Sequence, residues 1–172
     1  MTTQVEVNVM GYDLHWIQGL GYYVGNFIFQ QISPTNQILV FSDGTIDLNQ
    51  GAGLSDSVSV LFRWLSPQVE IGGNLYEAQF APTPSDNIWI LEGNAKPNHT
   101  DNPPINGGQI TVSAGGAANE IVLEDLNNDE NHYTYCFAVR VGIDGGQWFV
   151  ADPKIINKDV NRVFSLEYDS LS

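Results

Sequence analysis

A turn rich in oxygen-bearing side chains is the first place where the sequence concentrates groups able to do chemistry. It reads Asp125-Leu-Asn-Asn-Asp129 and begins like the loop of an EF-hand, whose alternate oxygen ligands converge on one calcium ion. The match ends there, because Glu130 stands where that loop needs glycine and Cys136 stands where it needs a bidentate glutamate. Two interpretations stay open: a calcium site of another kind, with Asp125, Asp129 and carbonyl oxygens of the turn as ligands, or a solvated turn without a metal.

Tryptophan side chains are the second feature that suggests a binding chemistry. A tryptophan ring can stack on a sugar ring while Asn or Asp side chains hydrogen-bond the sugar hydroxyls. Trp64 and Trp89 lie in alternating strand patterns, which predict that both rings are in the core. The other two tryptophans and their polar neighbours are the candidate ligand-binding residues, with carbohydrate as the ligand: His15, Trp16, Asp144 and Trp148. Burial of both rings is the alternative interpretation.

The sequence lacks the spacings that mark common catalytic sites. His15, His99 and His132 are scattered, and none of them pairs with another histidine or with cysteine at metal-ligand spacing. Neither a Gly-x-Ser-x-Gly elbow, nor a phosphate-binding glycine-rich loop with a lysine, nor a His-Glu-x-x-His helix occurs. Carboxylate pairs such as Glu120 and Glu124 are expected by chance among twenty acidic residues. We therefore predict a protein that is not an enzyme and that needs no cofactor unless calcium binds.

Composition and charge limit the class of protein and its partners. The 172 residues are 42% hydrophobic and only 15% charged, which excludes intrinsic disorder and predicts one domain over residues 1–172. Twenty acidic against six basic residues give a net charge of -14, so nucleic acid and anionic membrane surfaces are excluded as partners by repulsion. The single cysteine, the start without a basic and apolar signal segment, and the lack of a long apolar run predict a cytoplasmic protein.

Alternation of apolar and polar residues predicts that the chain is built from strands. Eleven segments carry this pattern: Val5 to Val9, Tyr22 to Ile32, Gln37 to Phe41, Val58 to Trp64, Leu75 to Phe80, Ile88 to Glu92, Gln109 to Ser113, Glu120 to Leu123, His132 to Val141, Gln147 to Val150 and Arg162 to Tyr168. Turn residues separate them. We expect an antiparallel β-sandwich of nine to eleven strands, Greek-key or jelly-roll in connection, with almost no helix.

Two segments fall outside the strand pattern. Gly11 to Leu20 has no clear period and receives no assignment, although a short helix or a covering loop would fit. Gly93 to Gly108 contains three prolines and almost no apolar residue, which predicts a long surface loop. Loops of this length in a small domain are often functional, so this loop is a candidate binding surface.

The region before the predicted strand His132 to Val141 resembles a tyrosine corner. Asp129 precedes Tyr133 by four residues, and Greek-key sandwiches place such a tyrosine with its hydroxyl bonded to the backbone of the preceding connection. Tyr135 stands where antibody domains have a cysteine two residues after that tyrosine. The pattern is compatible with an immunoglobulin-like topology, but without the inter-sheet disulfide it does not support a strict member of the immunoglobulin family.

The same region carries a resemblance to a known family. The run Asp125-Leu-Asn-Asn-Asp-Glu-Asn-His-Tyr-Thr-Tyr-Cys-Phe-Ala-Val-Arg, followed by Asp152-Pro-Lys-Ile-Ile-Asn-Lys158, is similar to the C-terminal signature of the small bacterial DP-EP family. The resemblance covers residues 121 to 158. It implies a compact bacterial β-sandwich and no catalytic residues.

These observations together predict the function class. We expect a non-catalytic structural or protein-interaction module that associates with itself or with another protein through sheet edges or loops. Because identical subunits of this charge repel each other, self-association should depend on apolar contacts, strand-edge contacts or a bridging cation. A carbohydrate-binding module, assisted by calcium, is the alternative hypothesis.

Overall fold

Twelve β-strands form the chain in a computed structural model, which describes residues 2–49, 57–151 and 154–156. The strands are β1 Thr3–Ile17, β2 Tyr22–Ser33, β3 Ile46–Asp47, β4 Val58–Trp64, β5 Gln68–Ile71, β6 Asn74–Gln79, β7 Ile88–Glu92, β8 Ile110–Ala114, β9 Glu120–Asp125, β10 His132–Val141, β11 Gln147–Ala151 and β12 Lys154–Ile156. A 3-10 turn at Pro84–Asn87 precedes β7, and no α-helix occurs among the described residues. The predicted all-β class is confirmed.

The strands join into one large sheet that is mostly antiparallel. Its main path runs β3-β12-β10-β11-β2-β1-β4-β9-β8, while β6 and β7 pair with β10, and β5 pairs with β6. Three pairs are parallel, namely β1 with β4, β2 with β11, and β3 with β12. Alternation shows which side chains share a face, but it does not show the direction of the neighbouring strand, so the parallel pairs were not expected.

Short strands and one bulged strand account for most differences from the predicted elements. β3, β5 and β12 are only two to four residues long, too short for an alternating pattern to stand out. The unassigned segment Gly11 to Leu20 is mostly strand, because β1 continues to Ile17 across a register shift between Tyr12 and His15. The shift changes which residues face the core and hides the period. The predicted strand Arg162 to Tyr168 lies outside the described residues.

The segment Gln37 to Phe41 was predicted as a strand, but only Val40 forms an isolated bridge, to Ile46. The side chain of Gln31 makes hydrogen bonds that a neighbouring strand would otherwise provide. Its amide nitrogen donates to the carbonyl oxygens of Pro34 and Gln37, both at 2.7 Å, and its oxygen accepts from the backbone of Leu39 at 2.8 Å and Val40 at 3.0 Å. One side chain therefore satisfies four backbone groups that a strand partner would otherwise pair.

The core forms where side chains of distant strands meet. Phe62 of β4 and Phe137 of β10 pack edge to face with ring centroids 5.4 Å apart, although three strands separate β4 from β10 along the sheet. Phe29 of β2 contacts both rings. The sheet must therefore curve so that its apolar face closes on itself, which excludes water from these aromatic rings. The predicted burial of Trp64 and Trp89 is confirmed, at 3% and 1% exposure.

Candidate functional site

The end of the β1–β2 hairpin brings two of the predicted ligand-binding residues around one tyrosine. Trp16 lies opposite Tyr23 in the strand register, with ring centroids 5.1 Å apart in an edge-to-face contact. Burial raises the pKa of Tyr23, and the negative charge of Asp144 raises it further. The indole of Trp16 remains exposed.

Trp148 and His15 lie apart from this pair. Trp148 belongs to a second apolar cluster with Tyr22 and Trp89, on the side of the sheet opposite to Tyr23. The guanidinium carbon of Arg140 lies 4.5 Å from the centre of the Trp148 ring, and Trp89 contacts this ring edge to face. A cation over a tryptophan face occupies the surface on which a sugar would stack. Carbohydrate binding therefore stays a prediction without a specific contact in its favour.

The exposed His15 ring makes a contact within its own strand. Its Nδ1 lies 3.4 Å from the carbonyl oxygen of Asp13. This part of β1 is shaped by a bulge, with Asp13 at a positive φ of 56°. Gly25 on the neighbouring strand makes room for it, because a Cβ atom there would lie 2.7 Å from the carbonyl oxygen of Tyr12.

The long loop between β7 and β8 has the position that the sequence predicted, and part of it lies against the second apolar cluster. The Lys96 ammonium lies 5.6 Å from the ring centre of Tyr22, and His99 contacts Trp89 edge to face. Pro97 is buried, with its carbonyl oxygen 3.8 Å from the sulfur of the buried Cys136. This part of the loop therefore covers the outer face of the sheet.

The two predicted calcium ligands bind different protein donors. The buried Asp125 carboxylate accepts from the Gln109 amide at 3.0 Å and from the backbone of Asn127 at 2.8 Å. Asp129 accepts from the backbone of Asn131 at 3.1 Å. Among the described residues, no group of three or more His, Cys, Asp and Glu side chains is arranged to hold a metal ion. Calcium binding stays a prediction.

Tyr133 bonds to the connection before it, as the tyrosine-corner pattern indicates, but through a side chain. Its hydroxyl donates to the carboxylate of Asp129 and accepts from the Asn106 amide at 3.0 Å, where a tyrosine corner would bond to the backbone. Burial and the bond to Asp129 raise the pKa of Tyr133. A second tyrosine, Tyr135, does bond to backbone, but to the distant carbonyl oxygen of Gly44 at 2.6 Å.

A different surface stands out once exposure is considered. Between Asp13 and Asp43 the sequence contains no Asp, Glu, Lys or Arg, although the whole chain has 26 of them, and we call residues 14–42 the uncharged segment. Ten large hydrophobic side chains are exposed in the part of the chain that the structure describes, and six of them lie in the uncharged segment: Trp16, Leu20, Ile28, Ile32, Ile38 and Phe41. A scattered distribution would not need an explanation, but this concentration does.

Strand alternation explains why part of this apolar surface points outward. Phe27 and Phe29 of β2 pack inward, with Phe27 4.2 Å from Phe149 between ring centroids. Ile28 and Ile32 therefore lie on the outer side of β2. Ile28 is also directly opposite Met10 of β1 in the register. The uncharged segment was visible in the sequence as a gap in charge, but only the structure shows which of its apolar residues remain exposed.

Comparisons with known proteins give little information about the role of this surface. No family model matches the chain, and no curated protein matches it. One solved structure that matches is that of an inclusion body protein (PixA) from Burkholderia cenocepacia J2315, with 7% identity over 91% of this chain and 96% of that chain and a TM-score of 0.43. Within the described residues, no helix has the length and apolar content needed to span a bilayer.

Proposed function

We propose that the protein is a non-catalytic interaction module that self-associates through the uncharged segment, residues 14–42. The observation that carries this proposal is that six of the ten exposed large hydrophobic side chains fall within a segment that has no formal charge. Concentrations of exposed apolar side chains typically mark protein contacts, and the buried centres of such contacts are depleted in charged residues and enriched in aromatic ones.

The overall charge explains why this segment is better suited to self-association than the rest of the surface. Each copy carries a net charge of -14, so most pairs of surfaces would bring like charges together. Contact through residues 14–42 places no formal charge from the segment itself at the interface. The apolar contact then provides the favourable free energy, while the remaining acids stay in solvent.

The proposal is tested by two substitutions that are matched in chemistry and exposure. Ile38 is 61% exposed inside the uncharged segment, and Leu75 is 66% exposed outside it. We expect sedimentation velocity of the wild-type protein to show a mass that rises with concentration. Ile38→Asp should weaken this association by about tenfold or more, because it introduces a charge into an apolar contact, whereas Leu75→Asp should leave it unchanged.

Two results would overturn self-association through this segment. The first is a wild-type protein that stays monomeric up to millimolar concentration. The second is an equal effect of Ile38→Asp and Leu75→Asp, since a general increase in negative charge would then explain both. Ile28→Asp provides a second variant in the segment if Ile38 lies at the edge of the contact.

We also propose that the curved sheet is a two-layer β-sandwich. The contact of Phe62 with Phe137 supports this arrangement, because these rings come from strands that are not neighbours in the sheet. Two sheet faces that share such rings form a common apolar interior.

A further inference from the structure

An open groove of about 620 Å³ lies beside Trp64, the last residue of β4. Its walls are the connection after β4, residues 77–79 of β6, and the turn between β8 and β9. The volume falls within the range of roughly 300–1,000 Å³ that small-ligand sites occupy. This groove is separate from the uncharged segment and from the residues that the sequence pointed to.

Hydrogen bonds of Trp64 and Asn119 to backbone groups hold the three walls together. The indole nitrogen of Trp64 donates to the carbonyl oxygen of Ala78 at 3.0 Å, which joins β4 to β6. Asn119 makes two hydrogen bonds with the backbone of Trp64. Its side-chain amide donates to the Trp64 carbonyl oxygen at 3.0 Å, and its own carbonyl oxygen accepts from the Trp64 backbone nitrogen at 2.9 Å, so that the β8–β9 turn is joined to β4. The groove is therefore preformed, and a ligand would not have to order it.

The lining combines apolar surface with amides and one charge. Leu65, Pro67 and Ala118 provide the exposed apolar part, while Trp64 and Ala78 are buried beneath it at 3% and 1% exposure. The amide side chains come from Gln68, Gln79 and Asn119. Among the described residues that line the groove, Glu77 alone is charged. The groove can thus hold an apolar body, hydrogen-bond its polar groups and pair with one positive charge.

We propose that this groove binds a small organic cation, an aromatic or aliphatic body that carries a protonated amine. The apolar lining would contact the body, and the carboxylate of Glu77 would bind the ammonium group. The net charge of -14 favours the approach of a cation over that of an anion within the range that salt screening leaves. Arg63, which adjoins Trp64 in the chain, does not offset Glu77, because it is bonded to Glu120 at 3.6 Å and to Asn8 at 3.3 Å.

The charge requirement is tested with three indole compounds of similar size. Tryptamine is a cation, tryptophol is neutral and indole-3-acetate is an anion. We expect calorimetry or protein NMR to show that tryptamine binds about two- to fivefold more tightly than tryptophol, as a solvent-accessible ion pair allows, and that indole-3-acetate binds most weakly. Glu77→Gln should reduce the preference for tryptamine and leave tryptophol unchanged, whereas Glu70→Gln, on β5 outside the groove lining, should preserve it.

The location is tested by filling the groove. Ala118→Trp places a large ring in the groove, and Ala117→Trp adds the same ring at the neighbouring exposed position, which does not line it. We expect Ala118→Trp to reduce the binding of tryptamine and tryptophol by at least about tenfold and Ala117→Trp to change it little, with equal thermal unfolding temperatures for the two variants. Binding that survives Ala118→Trp, equal effects of Glu77→Gln and Glu70→Gln, or no binding of any of the three compounds at millimolar concentration would overturn the proposal.

Discussion

The buried hydroxyl group of Tyr135 connects two distant parts of the chain. Tyr135 is fully buried on β10, and its hydroxyl donates to the carbonyl oxygen of Gly44, 91 positions away in sequence. Burial is the main cause that raises the pKa of Tyr135, and the negative charge of Asp43 adds to it. The neutral phenol is therefore the form that the folded protein stabilises.

The pKa shift of Tyr135 predicts a loss of stability in alkali. Because the folded-state pKa of Tyr135 lies above the ordinary tyrosine value of 10.0, the stabilisation is complete below pH 10 and is lost as pH rises from 10 toward the folded-state pKa. Urea unfolding between pH 8 and pH 11 should show this decline for the wild type and a smaller decline for Tyr135→Phe. At pH 8 the variant should be less stable by about 1–3 kcal/mol, because the Gly44 carbonyl loses its donor. Parallel pH profiles of the two proteins would contradict this assignment.

At the scale of elements, side chains replace strand pairing in places where the chain turns away from the sheet. Gln31 is the clearest example, since its amide bonds four backbone groups between Pro34 and Val40. This segment has the alternation of a strand but lacks a strand partner along most of its length. The side chain at the end of β2 therefore determines the path of the chain after β2.

Gln31→Ala should destabilise the protein much more than the same change at the neighbouring position. We expect a loss of about 2–4 kcal/mol in the free energy of unfolding, because four hydrogen bonds to partly buried groups are removed. Gln30→Ala is the control, since Gln30 is exposed on the opposite side of β2. Urea denaturation measures both. A difference of less than about 1 kcal/mol between the variants would mean that water takes over the bonds of Gln31.

At the scale of the whole molecule, negative charge and apolar exposure are distributed differently. The acids give a net charge of -14, while most of the exposed large hydrophobic side chains of the described residues lie in the uncharged segment. Solvated acids keep copies apart at long range, and the uncharged segment allows contact at short range. Ionic strength should therefore control the proposed association.

Raising the salt concentration should strengthen self-association. Screening shortens the reach of repulsion from about 30 Å at 0.01 M to about 10 Å at 0.1 M salt. We expect the dissociation constant of the wild-type protein to fall by roughly threefold or more over this range, measured by sedimentation velocity. Weaker association at higher salt would show that opposite charges, and not apolar contacts, form the interface.

The sequence alone was sufficient to identify the all-β class, the bounds of strands β4, β7 and β10, and the burial of Trp64 and Trp89, because two-residue alternation reports directly on which side chains face a core. It also contained the gap in charge over residues 14–42. Only the tertiary structure decided the parallel pairs, the course of Gly11 to Leu20 through a bulge, and the separation of Trp16 from Trp148. Those features depend on which strands lie side by side, and the groove around Trp64 depends on three connections that are far apart in the chain. Local periodicity contains no information about such long-range neighbours.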